Sequence, residues 1–222
     1  MMIRWYELIE IAKSIAFTDE CDSLVWQYES SGQYSSTSLY AIINFRGVTP
    51  VFLPAVWKII IPPRVHIFLW LLFYNKLMTR DNLLKRNLKK PEECVFCAYK
   101  ETATYLFFDC VVAKEIWSVA SDLLHRPLGA NLESIASLWV ADKKLDHVNT
   151  VCSAVLWALW KHSNNMIFNA VPWISVKQIW SMVLRLVRKW RVIFKEHMLQ
   201  QMKDFETQLL QLIKEPARLA WR

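Results

Sequence analysis

Three of the chain's five cysteines fall within seventeen positions, in the run CVFCAYKETATYLFFDC from Cys94 to Cys110. Cys94 and Cys97 form a C-x2-C pair, and Cys110 follows after twelve intervening residues. A C-x2-C turn brings two thiolates to one side of a tight loop. That suits two of the four ligands of a tetrahedral zinc ion, with a third thiolate from the next segment as the usual completion. No histidine lies between Cys97 and Cys110, and the nearest ones, His66 and His125, are outside the run. Three small buried hydrophobes fit the same spacing, because free cysteine is among the most buried residue types. Spacing alone leaves both readings open.

Basic residues crowd the approach to this loop. Lys85, Arg86, Lys89 and Lys90 are candidates to contact phosphates and release counterions, and Phe96 and Tyr99 on the loop are candidates to stack on bases. A solvated basic turn beside two core aromatics explains the same pattern.

The elements that must position these groups read as helices. Residues 1–20 carry Ile3, Leu8, Ile9, Ala12, Ile15 and Ala16 on a helical stripe. Residues 22–35, with Gly32 in the middle, predict a small β-hairpin, and Ser36 is placed to cap a helix running to about Phe45. A brief helix near Ala55 to Ile60 must stop at Pro62-Pro63. Val65 to Leu77 is hydrophobic all round and predicts a buried helix. Thr79 is a suitable N-cap for a helix over Arg80 to Asn87. A helix begun near Glu101 carries Leu106 and Phe107 inward with Cys110 near its end, and Ala113 to Leu124 continues helically. Further helices are predicted over Leu132 to Trp139 and Val148 to Asn169. Ser175-x-x-Gln178 then reads as a capping box for a final helix. Unbroken from Val176 to Lys214, that helix is about 58 Å long at 1.5 Å per residue. Its apolar stripe of Ile179, Val183, Leu186, Trp190 and Ile193 serves either the protein's own core or a partner helix.

The residues around the cysteines carry a resemblance. Trp57-Lys58, Pro62-Pro63-Arg64-Val65-His66-Ile67-Phe68-Leu69-Trp70, Thr79-Arg80-Asp81-Asn82-Leu83, Lys85-Arg86, C-x2-C, Glu101-Thr102, Leu106-Phe107-Phe108 and Cys110 succeed one another in order. Trp26 with Gly32-Gln33-Tyr34-Ser35 precedes them, and Trp157-Ala158-Leu159-Trp160-Lys161-His162 with Asn164 and Ile167-Phe168 trails. This pattern resembles the zinc-binding domain that follows the reverse transcriptase in plant LINE-like (non-LTR) retrotransposons, over most of residues 22 to 170. The resemblance implies a metal site of Cys94, Cys97 and Cys110 with histidine as fourth ligand, and a module that helps grip RNA or DNA without sequence specificity. Tyr105 stands where the family has that histidine. A neutral phenol with an ordinary pKa of about 10 is a poor zinc ligand near neutral pH, so the resemblance implies a zinc site weakened or lost. His162-Ser163 is a second departure.

Composition narrows the classes. The chain has 222 residues, 54% of them hydrophobic, with twelve tryptophans, which supplies a sizeable core. Its three glycines, at 32, 47 and 129, exclude the closely spaced glycines of a Rossmann or P-loop phosphate cradle. The net charge of +7 is concentrated beyond residue 50 and suits a polyanion. No apolar run approaches the roughly 20 residues of a membrane span. Odd cysteines and Glu7 and Glu10 near the start predict a reduced, intracellular setting, nucleus or cytoplasm, rather than secretion.

No catalytic constellation emerges. Cys152 and His162 are ten residues apart on one predicted helix, about 15 Å along its axis, and Asp19-Glu20 and Glu92-Glu93 are adjacent carboxylates whose side chains diverge. The chain reads as non-enzymatic, either a nucleic-acid-binding module or a metal-free structural or interaction remnant using its C-terminal helix. The expected fold is mainly α: a helical segment over 1–21, a zinc-binding-like domain over 22–126 with the hairpin and cysteine loop, and a helical region over 127–222 ending in the long helix.

Overall fold

The computed structural model describes residues 6, 9–10, 12–14, 23–44, 53–88, 91–140 and 143–214. The chain divides into two compact units, Met1–Thr49 and Pro50–Arg222.

In the first unit the described residues between 6 and 14 are helical, and the rest of that predicted helix lies outside the described residues. The predicted β-hairpin is not formed among the described residues. Residues 26–32 make a closed loop in which the Trp26 N–H donates to the Gly32 carbonyl at 2.8 Å and the Gly32 N–H to the Glu29 carbonyl at 2.9 Å. Side chains, not a strand ladder, hold this loop to the residues after it. Ser35 Oγ donates to Glu29 Oε2 at 3.0 Å, Trp26 Nε1 donates to Ser38 Oγ at 2.8 Å, and Trp26 meets Tyr28 and Tyr34 edge-to-face. Helix α1 (Ser36–Asn44) is capped by Ser35, whose Oγ accepts from the Ser38 N–H at 3.1 Å. The cap is therefore one residue earlier than expected, because it is the Ser35 hydroxyl that reaches a free N–H of the first turn.

In the second unit a 3-10 turn (Pro54–Lys58) leads to α2 (Pro63–Phe73), which starts on a proline at its first position, where the missing N–H costs nothing. With so few glycines, other residues take the left-handed positions that close helices. Asn75 at φ 50° ends α2, with the Lys76 N–H on the Leu71 carbonyl and the Asn75 N–H on the Leu72 carbonyl. Asn87 at φ 61° does the same after α3 (Arg80–Lys85), and His125 at φ 52° after α4 (Val111–Leu123). These closures stop α2 and α3 earlier than their apolar patterns suggest. The buried-helix expectation for α2 holds on one face only. Val65, Phe68, Leu69 and Leu72 are buried while Ile67, Trp70 and Tyr74 are exposed.

A short α5 (Leu132–Ser137), capped by Asn131, precedes the central helix α6 (Asp146–Phe168). Val151, Val155, Ala158 and Leu159 are fully enclosed, and α6 packs against α2, α4 and α7 (Val176–Trp190). Buried Thr150 Oγ1 donates to the Ile60 carbonyl at 3.1 Å, tying α6 to the segment before α2. The long final helix is not continuous. It breaks into two 3-10 turns over Arg191–Met198, and the chain turns back as α8 (Leu199–Lys214), which packs on α7 and α4. The antiparallel pair is pinned at one end by Lys177 Nζ donating to the Ile213 carbonyl at 2.9 Å. At the other, Arg191 Nη2 reaches both Glu206 oxygens at 2.8 and 2.7 Å. Folding back buries Met198, Met202, Phe205 and Leu209, apolar area that one straight helix leaves in water. Of the predicted stripe, Ile179, Val183 and Trp190 are committed to the protein's own core, Leu186 is half-buried against it and Ile193 is exposed. The predicted capping box is not made: Ser175 makes no side-chain cap bond, and Gln178 Oε1 accepts at 2.9 Å from the N–H of Ile174, one residue before the cap. No helix among the described residues is long and apolar enough to cross a membrane.

Candidate metal centre

The loop around Cys94 is a knuckle. Glu93 and Lys100 form an isolated antiparallel bridge, the Glu101 N–H donates to the Glu92 carbonyl at 2.9 Å, and the Cys94 N–H donates to the Tyr99 carbonyl at 2.8 Å. The tip is closed by the Cys97 N–H on the Cys94 carbonyl at 3.3 Å. Phe96 anchors it from the inside, lying parallel to the His162 ring at 6.2 Å and edge-on to Trp173 at 5.0 Å. Phe96 is thus committed to packing, while Tyr99 stays exposed beside Tyr105.

Glu101 and Thr102 turn the chain into the segment carrying the remaining groups. Thr102 Oγ1 accepts from the Tyr105 N–H at 3.1 Å and its carbonyl from the Leu106 N–H at 2.9 Å, an N-cap. Tyr105–Asp109 then form one π-helical turn, closed by the Cys110 N–H on the Tyr105 carbonyl at 2.8 Å. Leu106, Phe107 and Phe108 go into the core as expected. Trp117 of α4 holds this turn by donating Nε1 to the Phe107 carbonyl at 2.7 Å. Trp117 is itself backed by Gly129 at φ +81°, where an added Cβ would come within 2.1 Å of Trp117 Cγ. Buried Glu101 links the knuckle to α3, its Oε1 accepting from the Arg80 N–H at 3.1 Å. Thr79 is extended as an N-cap residue should be, but its hydroxyl donates to Asp81 Oδ1 at 2.6 Å, so Glu101 satisfies the helix end instead. Sequence reasoning missed this role of Glu101, which only tertiary structure creates.

The three cysteines named from the sequence come together. Their sulfurs all lie within 4.8 Å of one another, with Cys94–Cys110 at 3.9 Å and Cys97–Cys110 at 3.7 Å. Tetrahedral zinc with Zn–S near 2.3 Å requires sulfur–sulfur edges of about 3.8 Å. Tyr105 Oη lies 3.1 Å from Cys97 Sγ, which sets an oxygen beside the three sulfurs. Cys94 and Cys110 are buried and Cys97 is half-buried. The three sulfurs therefore suit a thiophilic cation, with the Tyr105 oxygen placed against Cys97. Asp109 faces solvent, and Glu101 gives its Oε1 to the Arg80 N–H while its Oε2 is buried without a hydrogen-bond partner.

The thiols are electrostatically prepared. A hydrogen bond from the Cys94 thiol lowers Cys110 to about 6 against the cost of burial, with help from the Val112 and Ala113 N–H groups at the start of α4. Cys94 is pushed up by that same bond and by burial, so Cys110 ionises first. The Tyr105 hydroxyl is raised by its hydrogen bond to Cys97 and by burial. A bound cation inverts that local preference, because it favours the anionic form of every ligand.

Of the four basic residues preceding the knuckle, Lys85 and Arg86 are exposed at the end of α3, and Lys85 Nζ is engaged by Asp81 at 3.1 Å. Lys89 and Lys90 lie outside the described residues. Cys152 is fully buried in α6, its thiol pushed up to about 12 by burial.

No solved structure matches the chain. An Arabidopsis thaliana protein named "Putative ribonuclease H protein" is 27% identical over 159 residues, which cover 66% of this chain. The matched region spans 25% of that relative's length. Residues 34–117, with the knuckle, Tyr105 and Cys110 inside them, match the family described as zinc-binding in reverse transcriptase.

Proposed function

We propose that this chain is a non-catalytic, retrotransposon-derived module of the LINE-like plant type, in which a weakened zinc centre braces a surface for nucleic acid. The carrying observation is the trio of sulfurs within 4.8 Å of one another, two of their three edges at tetrahedral spacing, inside the segment that matches the zinc-binding family. Cys94, Cys97 and Cys110 would hold the ion, with the Tyr105 oxygen or a water as the fourth donor. Zinc there supplies no reaction. It ties the knuckle to the π turn and the start of α4, which the core otherwise holds through Phe96 and Trp117.

The partner is RNA or DNA, gripped without sequence preference through phosphate contacts from Lys85, Arg86, Lys89 and Lys90. The module works inside the cell, where its thiols stay reduced. Neutralising those four residues should lower the salt dependence of binding by a slope of about three, since each single-strand phosphate contact contributes about 0.7. An unchanged slope contradicts their role.

A further inference from the structure

The outward face of α2 has no role in the proposed function. It sets a row of large aromatics in water: Trp57 on the preceding 3-10 turn is 54% exposed, Trp70 38% and Tyr74 44%, with Ile67 at 52% between them. Trp57 leans on the His66 ring at 5.6 Å, and His66 is fixed by its Nε2 lying 3.0 Å from the Ile59 carbonyl. Trp70 and Tyr74, one helical turn apart, have centroids 4.9 Å apart. His66, Trp70 and Tyr74 follow an i, i+4, i+8 spacing, so the row runs about 12 Å along the helix.

The opposite face of α2 fills the core with Val65, Phe68, Leu69 and Leu72. The helix is therefore held rigidly, and the outer rings are presented by a scaffold that does not need them for its own packing. Soluble proteins seldom expose contiguous apolar area without a use for it.

The charges around this row are of one sign. Residues 51–80 contain no aspartate or glutamate and four cations, Lys58, Arg64, Lys76 and Arg80. Arg80 is buried, whereas Lys58, Arg64 and Lys76 are exposed and make no ion pair among the described residues. Lys85, by contrast, is already answered by Asp81.

From this we infer that the Trp57–Trp70–Tyr74 face is a stacking platform for unpaired bases, with Lys58, Arg64 and Lys76 tracking the phosphates of a single strand. It rests on the nucleic-acid reading of the proposed function and names a different surface and a narrower partner. Exposed rings flanked by unpaired cations are the combination that single-strand binders use. In a duplex the base faces are already stacked on one another, so the rings have nothing to cover. An acidic partner surface would find the same cations but would leave the rings without a function.

The test uses the full chain with zinc and reductant present, and short oligo(U), oligo(dT) and matching duplex probes. Single strands should bind more tightly than duplex. Trp70→Leu and Tyr74→Leu, which keep apolar bulk but remove the ring, should each lose about five- to a hundredfold in affinity. Trp57→Ala, outside the helix, supplies a variant whose folding does not depend on α2. The triple variant Lys58→Gln, Arg64→Gln, Lys76→Gln should lower the salt slope by about two. Circular dichroism and melting confirm that each variant is folded.

Equal binding by the leucine variants, or equal affinity for duplex, overturns the platform. If affinity instead vanishes when Lys85, Arg86, Lys89 and Lys90 are neutralised, the platform falls and the proposed function stands. No binding by the parent chain sinks both. Self-association abolished by Trp70→Leu, without affinity for any probe, makes the occupant a second copy of this chain and also overturns the inference.

Discussion

Gly129→Ala is a one-methyl change with a large expected cost. Gly129 sits at φ +81°, and a Cβ there meets the Trp117 side chain at 2.1 Å from Cγ, 2.3 Å from Cβ and 2.5 Å from Cδ2. The left-handed backbone costs an alanine about 1 kcal/mol. The overlap adds about 1–3 kcal/mol, as overpacking does. Trp117 cannot retreat freely, because it lies parallel to Phe108 at 5.8 Å and its Nε1 is bonded to the Phe107 carbonyl. If it gives way, that buried carbonyl loses its donor at about 1–3 kcal/mol. The sum, about 3–7 kcal/mol, should lower the melting temperature by about 6–28 °C in a domain of this size. Far-UV circular dichroism melts of parent and variant measure it. A loss under about 3 °C would refute the reasoning, because it would mean that the 129 segment moves aside at little cost.

Three further outcomes rest on single contacts. Thr150→Val should destabilise by about 1 kcal/mol in urea titration, because the Ile60 carbonyl loses its buried donor; no change would show that another group satisfies it. Burial pushes the Asp81 carboxyl up, but hydrogen bonds from Thr79 and Lys85 outweigh it and hold it below its ordinary 3.8. Its contribution is therefore complete above about pH 4 and lost as pH falls through the depressed value. Asp81→Asn should flatten the acid limb of stability against pH, and parallel limbs would contradict this. Glu101 has the opposite sign: burial raises it above its ordinary 4.5, so its share of stability is present below that pH and lost as pH rises through the elevated value. Glu101→Gln, which keeps an oxygen for the Arg80 N–H, should raise stability at neutral pH relative to acidic pH. A fall at neutral pH relative to acidic pH would count against the desolvation cause.

The cysteine cluster was legible because its spacing is local: a C-x2-C turn brings two thiols to one side of a loop, and Cys110 is carried back by the first turn after the knuckle. The helices α4 and α6 were legible because their apolar residues recur at helical spacing. The N-terminal hairpin was misread because Gly32 signals a turn but not what the flanks do. There, Ser35, Ser38 and Glu29 take the bonds that a strand ladder would make. The break at Arg191–Met198 contains neither proline nor glycine, so no local signal marks it. It exists because Met202, Phe205 and Leu209 gain burial by folding back. The apolar character of α2 predicted burial on every side, yet periodicity cannot distinguish a ring kept for the core from one set in water. The role of Glu101 at α3 was invisible for a similar reason, since its partner is twenty-one residues away.

The most direct test of the proposed metal centre is the zinc content of protein purified under reducing conditions, read for the parent, Cys110→Ser and Tyr105→His. The account predicts one equivalent in the parent, tighter retention against a chelator in Tyr105→His, and loss in Cys110→Ser. Zinc absent from both the parent and Tyr105→His would contradict it, leaving the three sulfurs as core packing.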